Sequence, residues 1–126
     1  MASRGFTPRR FVGERLDFST GYALTKRHFS GSQATAVFAS NDLMALGVMR
    51  ALAEMGVRVP ADVAVIGFDG IEISDYVTPA LTTITQPAQQ LGRVAADMAM
   101  ERAYQRYTGP PRVARLEPSL TVRASG

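Results

Sequence analysis

Two neighbouring stretches decide the fold: residues 36–47 read AVFASNDLMALG, and residues 59–70 read VPADVAVIGFDG. Each contains an apolar run that ends abruptly in an uncharged or acidic polar residue, Asn41 in the first and Asp69 in the second. Open parallel sheets bind their ligands outside the carboxyl ends of the strands. The two stretches therefore predict a parallel sheet with Asn41 and Asp69 at its ligand-binding edge.

Around these stretches, strand-like and helix-like segments alternate. Strands are predicted at residues 11–13, 35–39, 63–68 and 81–84, and a last extended segment at 113–122 is interrupted by Pro118. Helices are predicted at residues 17–28, 41–55 and 87–107. Ser19 or Thr20 would cap the first helix, and Gly56 would end the second. Residues 1–5 are interpreted as the tail of an earlier helix. This alternation favours an α/β fold, a doubly wound and mostly parallel sheet with helices on both faces.

Length and composition restrict the class of protein. A chain of 126 residues forms one domain with a real core, and an apolar fraction of 46% is ordinary for a globular protein. The absence of cysteine excludes disulfides and cysteine zinc sites and fits a reducing compartment. Because no apolar run approaches the length of a membrane span and the start has no signal-peptide core, we expect a soluble cytoplasmic protein without membrane contacts.

Charge and motif patterns speak against several kinds of site. The net charge is +3, but the arginines are scattered, whereas a nucleic-acid surface usually shows a dense stripe or a known module. Asp69, Glu72 and Asp75 recur at three-residue spacing without a histidine or a calcium-loop pattern, so a solvated acidic face is favoured over a metal site. His28 is the only histidine and has no serine or aspartate pattern near it. We therefore expect no enzyme, no metal and no cofactor.

The two opening stretches, together with TPALTTITQP at residues 78–87 and LTVR at 120–123, resemble the effector-binding core of the lactose-repressor (LacI/GalR) family of bacterial transcription regulators. The resemblance covers most of the chain from about Asp17 onward. It implies a type I periplasmic-binding-protein-like domain that senses a small-molecule effector, a sugar or a related compound, and forms a homodimer. It also implies contact with operator DNA, but only through a helix-turn-helix that this sequence lacks.

The resemblance also implies that the sequence is a single partial domain. Residues 1–83 would form mainly the C-terminal lobe, residues 84–112 the crossover and a helix of the otherwise absent N-terminal lobe, and residues 113–126 the return strand and tail. On this interpretation we expect a truncated gene product or an experimental fragment, with one wall of the effector cleft missing. The alternative is a piece of a periplasmic-type sugar-binding transport protein, which shares the fold but needs an export signal.

Three candidate ligand residues have both a structural and a functional interpretation. By position alone, Asn41 is favoured as a helix cap, but the resemblance implies that its amide binds effector hydroxyls. Asp69 fits a turn before Gly70, whereas the resemblance implies a carboxylate that accepts two hydroxyl hydrogens. Phe18 fits the core, whereas the resemblance implies an aromatic ring that packs against the apolar face of a sugar.

A second set of residues predicts self-association. Leu43 and Leu46 lie off the main apolar face of the helix predicted at 41–55. The segment from Ile71 to Val77, which includes Tyr76, adds further apolar groups. An isologous dimer would bury such a patch twice by symmetry. The expected dimer interface therefore consists of Leu43, Leu46, Ile71, Tyr76 and Val77.

Overall fold

The computed structural model describes residues 7–126, so the helix tail predicted at residues 1–5 lies outside the described part of the chain. Within residues 7–126, three α-helices and four strands follow one another. In order they are α1 (Phe18–His28), β1 (Ala36–Phe38), α2 (Asp42–Glu54), β2 (Ala64–Asp69), a 3-10 turn (Glu72–Asp75), β3 (Thr82–Thr85), α3 (Ala88–Ala103) and β4 (Ser119–Thr121).

The four strands form one sheet in the order β1-β2-β3-β4. β1 pairs with β2 and β2 with β3 in parallel, and β4 is antiparallel to β3. The mostly parallel sheet predicted from the apolar runs is confirmed. Because β1 and β2 are parallel neighbours, their carboxyl ends lie at the same edge of the sheet.

One face of the sheet packs against α2. Successive strand residues point to opposite faces, and Val65, Gly67 and Thr83 share the face that meets the helix. Val65 and Leu81 are fully buried there against Ala45, Val48 and Leu52 of α2. The opposite face carries Phe38 and Leu120, which are 60% and 58% exposed.

Two glycines allow α1 and α2 to cross almost backbone to backbone. A Cβ atom added at Gly21 would lie 2.2 Å from the carbonyl oxygen of Met44, and one added at Gly47 would lie 2.1 Å from that of Phe18. No real side chain tolerates such distances, so the crossing requires hydrogen at both positions. This close contact fixes the start of α1 beside the first half of α2.

The end of the chain is anchored between β2 and β3 through Ser125, which is fully buried. Its hydroxyl donates to the carbonyl oxygen of Val65 at 2.6 Å and accepts from the amide of Thr82 at 2.8 Å. Its backbone carbonyl accepts from the amide of Val65 at 2.7 Å, and its amide donates to Ala80 at 3.0 Å. The tail therefore completes hydrogen bonding near the amino-terminal ends of these two strands.

Several boundaries differ from the sequence-based expectations. Residues 11–13 form no strand. The cap of α1 is Asp17, whose carboxylate accepts from the amide of Thr20, because a side chain one residue before the helix reaches the free amides of the first turn. α3 ends at Ala103 rather than at 107, since Gln105 has a φ of +55° that breaks the helical path. The last extended segment contains only the three-residue strand β4.

The third helix contributes no buried side chain. Leu91 is about half exposed at 49%, and Val94 and Met98 are only partly covered. The apolar stripe predicted from this spacing therefore finds little cover among residues 7–126. In this same part of the chain, no helix is both long and apolar enough to cross a membrane.

Candidate functional site

Asn41 lies between the end of β1 and the start of α2, and its side chain performs two local tasks. Its Oδ1 accepts from the amide of Met44 at 2.8 Å, which caps α2, and its Nδ2 donates to the carbonyl oxygen of Leu16 at 2.9 Å. The cap interpretation is therefore confirmed. An amide group has two donor hydrogens and an oxygen with two lone pairs, so one donor and one acceptor position remain for a ligand.

The next residue, Asp42, is fully buried and joins three parts of the structure. Its Oδ2 accepts from the amides of Gly70 and Ile71 and from the hydroxyl of Ser74, each at 2.9 Å, while Oδ1 accepts from the hydroxyl of Thr83 at 2.5 Å. These bonds tie the start of α2 to β3 and to the loop that follows Asp69. Asn41 and Asp69 are thereby held at one edge of the sheet.

The space for this buried carboxylate comes from Gly67 on β2. A Cβ atom there would lie 2.2 Å from Oδ1 of Asp42. An aspartate in the first turn of a helix ordinarily stabilises the positive end of the helix dipole. Its burial depends on donors that lie 28 to 41 positions further along the chain, which no local pattern reveals.

Asp69 ends β2 in a conformation that residues other than glycine rarely adopt. Its φ is +118°, and the following Gly70 has a φ of +75°. The carboxylate Oδ1 accepts from Nε2 of Gln86 at 2.6 Å, and the backbone carbonyl of Asp69 accepts from the Gln86 amide at 3.1 Å. Backbone outliers of this kind cost free energy and cluster at functional sites. The backbone conformation of Asp69 therefore indicates a functional residue independently of the sequence motif.

Phe18 faces a different surface. With Ser19 and Tyr22 of α1 and Arg50 and Glu54 of α2, it lines a shallow open cavity of about 410 Å³, to which neither Asn41 nor Asp69 contributes. The structure thus brings Asn41 and Asp69 to one edge and places Phe18 elsewhere. Leu16, whose backbone carbonyl accepts from Asn41, has a side chain that is 65% exposed, and the sequence analysis did not single it out.

The cavity at Phe18 contains a charged cluster. The hydroxyl of Tyr22 donates to Glu54 at 2.6 Å, and Arg50 pairs with the same carboxylate at 2.7 Å. These two hydrogen bonds, with that of Tyr22 the stronger influence, hold the pKa of Glu54 below its usual value. The bond to the Glu54 carboxylate raises the pKa of Tyr22. The Glu54 carboxylate is thus paired with Tyr22 and Arg50, and the cluster links α1 to α2 at the surface.

The residues expected at a dimer interface lie on α2 and on the loop that Asp42 holds. Tyr76 is 72% exposed and Leu43 is 44% exposed, whereas Leu46, Ile71 and Val77 are partly buried. Leu46 and Val77 pack against the core from its margin. The exposed members, Leu43 and Tyr76, lie on the two segments that the Asp42 carboxylate connects.

The family of this chain follows from its similarity to known proteins. The profile of the periplasmic binding protein-like domain matches residues 1–126. The chain belongs to that family. A curated relative, the HTH-type transcriptional repressor PurR of Vibrio vulnificus, is 45% identical over 89 residues, which are 71% of this chain and 26% of the relative. The chain thus spans about a quarter of the length of this relative.

Solved structures agree with the family assignment. A putative LacI-family transcriptional regulator from Sanguibacter keddieii superposes with a TM-score of 0.90 at 36% identity, over 98% of this chain and 47% of that one. A LacI-family regulator from Enterococcus faecium with bound ribose superposes with a TM-score of 0.79 at 35% identity, over 86% and 40% of the two chains. The chain is therefore an effector-domain segment of the LacI/GalR type, and the transport-protein alternative is not favoured.

Proposed function

We propose that this chain supplies the C-terminal half of an effector site in a transcription regulator, with Asn41 and Asp69 as ligand contacts. The observation that carries the proposal is the link through Asp42, whose carboxylate binds the two amides that follow Asp69. An amide and a carboxylate at one edge offer donors and acceptors to adjacent hydroxyl groups. The ribose bound to the Enterococcus faecium regulator supports a sugar or a related polyol as the effector class.

Leu16 is a further proposed apolar contact, because its backbone carbonyl accepts from Asn41 and its side chain is 65% exposed. The C–H groups of a sugar pack against aliphatic as well as aromatic side chains, so an exposed leucine can cover one part of the ring. Phe18, 42% exposed at the start of α1, stays a proposed aromatic contact of the ligand. We propose no catalytic role, because the relatives are regulators and the site combines no nucleophile with a base.

The whole protein that we propose has two lobes and a DNA-binding module. Residues 7–83 would belong to the C-terminal lobe, residues 84–112 to the crossover and a helix of the other lobe, and residues 113–126 to the return strand and tail. The poorly covered apolar stripe of α3, formed by Leu91, Val94 and Met98, supports this division, because a second lobe would cover that stripe and leave the polar face of the helix in solvent. Operator binding as a homodimer follows from the same proposal, and operator DNA places such a regulator in the cytoplasm.

The direct test uses the longer protein that carries both lobes. Calorimetric titration with ribose and a panel of other mono- and disaccharides should reveal at least one ligand, and Asp69→Asn should weaken its binding. Losing a hydrogen bond to a charged group costs about 1.5–3 kcal/mol, which corresponds to roughly ten- to a hundredfold in affinity.

Asp97→Asn is the matched control, because this aspartate is exposed on α3. It should bind the sugar with the affinity of the unaltered protein. The proposal fails if Asp69→Asn and Asp97→Asn bind the same sugar equally well, or if no sugar in the panel binds.

A further inference from the structure

The backbone of Asp69 needs an external support. A φ of +118° at a residue with a side chain persists only when its surroundings hold it there. Asp42 secures the residues after it, through the amides of Gly70 and Ile71. These bonds fix the loop but do not touch the Asp69 side chain.

The support for the side chain comes from Gln86. It contacts Asp69 at two points, through its backbone amide at 3.1 Å and its side-chain Nε2 at 2.6 Å. Gly70 packs closely against Thr85, the residue before Gln86. A Cβ atom added at Gly70 would lie 2.7 Å from the Thr85 side chain. The end of β2 is therefore clamped against the segment that leaves β3.

The bond from Gln86 uses only one carboxylate oxygen. Among residues 7–126, Gln86 supplies the side-chain donor to Asp69, and it binds Oδ1. A carboxylate has two oxygens and about four lone-pair positions. The clamp thus fixes the rotation of the group and leaves Oδ2 for the hydroxyl of a ligand.

We infer that Gln86 is a positioning residue that holds Asp69 in its ligand-binding geometry and links the site to the segment between β3 and α3. This inference rests on the proposed function of Asp69. A ligand hydroxyl that donates to Oδ2 shares the Asp69 carboxylate with Gln86. Gln86 lies two residues before the first residue of α3. Occupation of the site therefore changes the contacts at the start of that helix.

Two substitutions separate the hydrogen bond from the volume of the side chain. Gln86→Glu keeps the shape but puts a second carboxylate against Asp69 at neutral pH, and Gln86→Met keeps the length but removes the donor. Gln90→Glu and Gln90→Met are the matched controls, since Gln90 is exposed on α3. In the two-lobe protein, both Gln86 variants should raise the Kd for the best sugar of the panel about tenfold or more, and both Gln90 variants should leave it unchanged.

A merely structural role would lower stability as well as affinity. We expect the Tm of Gln86→Met in the two-lobe protein to stay within about 2–4 °C of the unaltered protein, the shift that the loss of about 1 kcal/mol produces in a protein of that larger size. An affinity loss fully accounted for by unfolding at the assay temperature overturns the inference. So does a Gln86→Met variant that binds the sugar with unaltered Kd.

A ligand-free measurement distinguishes failure of the inference from failure of the proposed function. In 1H–15N NMR spectra of the same proteins, the amide signals of Asp69, Gly70 and Ile71 should move in both Gln86 variants and stay in place in both Gln90 variants. If no sugar binds the unaltered protein, the proposed function fails and this spectrum alone decides whether Gln86 positions Asp69. Unmoved signals refute the clamp.

Discussion

Asp42 is the residue on which the geometry of the site depends most. Its carboxylate accepts four hydrogen bonds in a fully buried position. Asp42→Asn keeps the volume but replaces one acceptor oxygen with a donor group, which then faces donors. We expect the free energy of unfolding to fall by about 2–3 kcal/mol, the cost of leaving buried polar groups unpaired.

Urea denaturation of the unaltered and substituted chains measures this change. Asp97→Asn on exposed α3 is the control and should stay within about 0.5 kcal/mol. A loss of similar size in both variants would show that the buried network contributes nothing specific.

The sequence and the structure agree that Asn41 and Asp69 lie at one edge of the sheet, because a polar residue directly after an apolar strand can be placed from the pattern alone. Phe18 could not be placed in this way, since its position depends on the length of the segment before α1. Asp42 and Gln86 carried no local signal of their tasks. Their partners lie at least 17 positions away, and only the folded chain brings them together.

At the scale of elements, α1 and α2 cross almost backbone to backbone. Gly47→Ala would normally stabilise a helix, because alanine has the higher helix propensity by about 0.8–1 kcal/mol. Here the added methyl group would lie 2.1 Å from the carbonyl of Phe18. We therefore expect destabilisation by about 1–3 kcal/mol from overpacking.

The chain offers a matched control for this substitution. Gly92 lies inside α3, and an added Cβ meets nothing within 4 Å. Gly92→Ala should raise the free energy of unfolding of α3 by up to about 1 kcal/mol. Circular dichroism melts of the two variants should therefore shift in opposite directions, and parallel shifts would contradict the described crossing.

The anchor of the tail gives a further element-scale prediction. Ser125→Ala removes a hydroxyl that bridges β2 and β3 and leaves the buried amide of Thr82 without that partner. We expect a loss of about 1–3 kcal/mol in denaturant unfolding. Ser119→Ala is the control. Ser119 lies exposed on β4, so its substitution should be nearly neutral.

The helices and the parallel strands were predictable because their apolar periodicity is strong. The shape of the carboxyl-terminal segment was not, since Ser125 is a small polar residue whose burial depends on distant carbonyl and amide groups. The early end of α3 was missed for a related reason. Nothing in the residues around Gln105 indicates the left-handed turn that stops it.

At the scale of the whole molecule, the exposed surface around Leu43 and Tyr76 predicts self-association. Replacing both by glutamate places charges in the expected interface, where burial of an unpaired carboxylate is costly. Sedimentation of the unaltered chain should give a dimer at high micromolar concentration, and the double variant should sediment as a monomer. Val113→Glu, at a loop position that is 83% exposed, should leave the dimer intact. A monomeric unaltered chain would contradict the proposed interface.

The central claim is that the Asn41–Asp69 edge is one half of a sugar site, and an NMR titration of this 126-residue chain with ribose and the sugar panel tests it most directly. One wall of a cleft buries only part of a ligand, so we predict dissociation constants in the millimolar range. The amide signals of Asn41, Asp69 and Gln86 should move, and the shifts should vanish in Asp69→Asn. Shifts confined to Phe18, Tyr22 and Arg50, or micromolar binding that survives Asp69→Asn, would contradict the account.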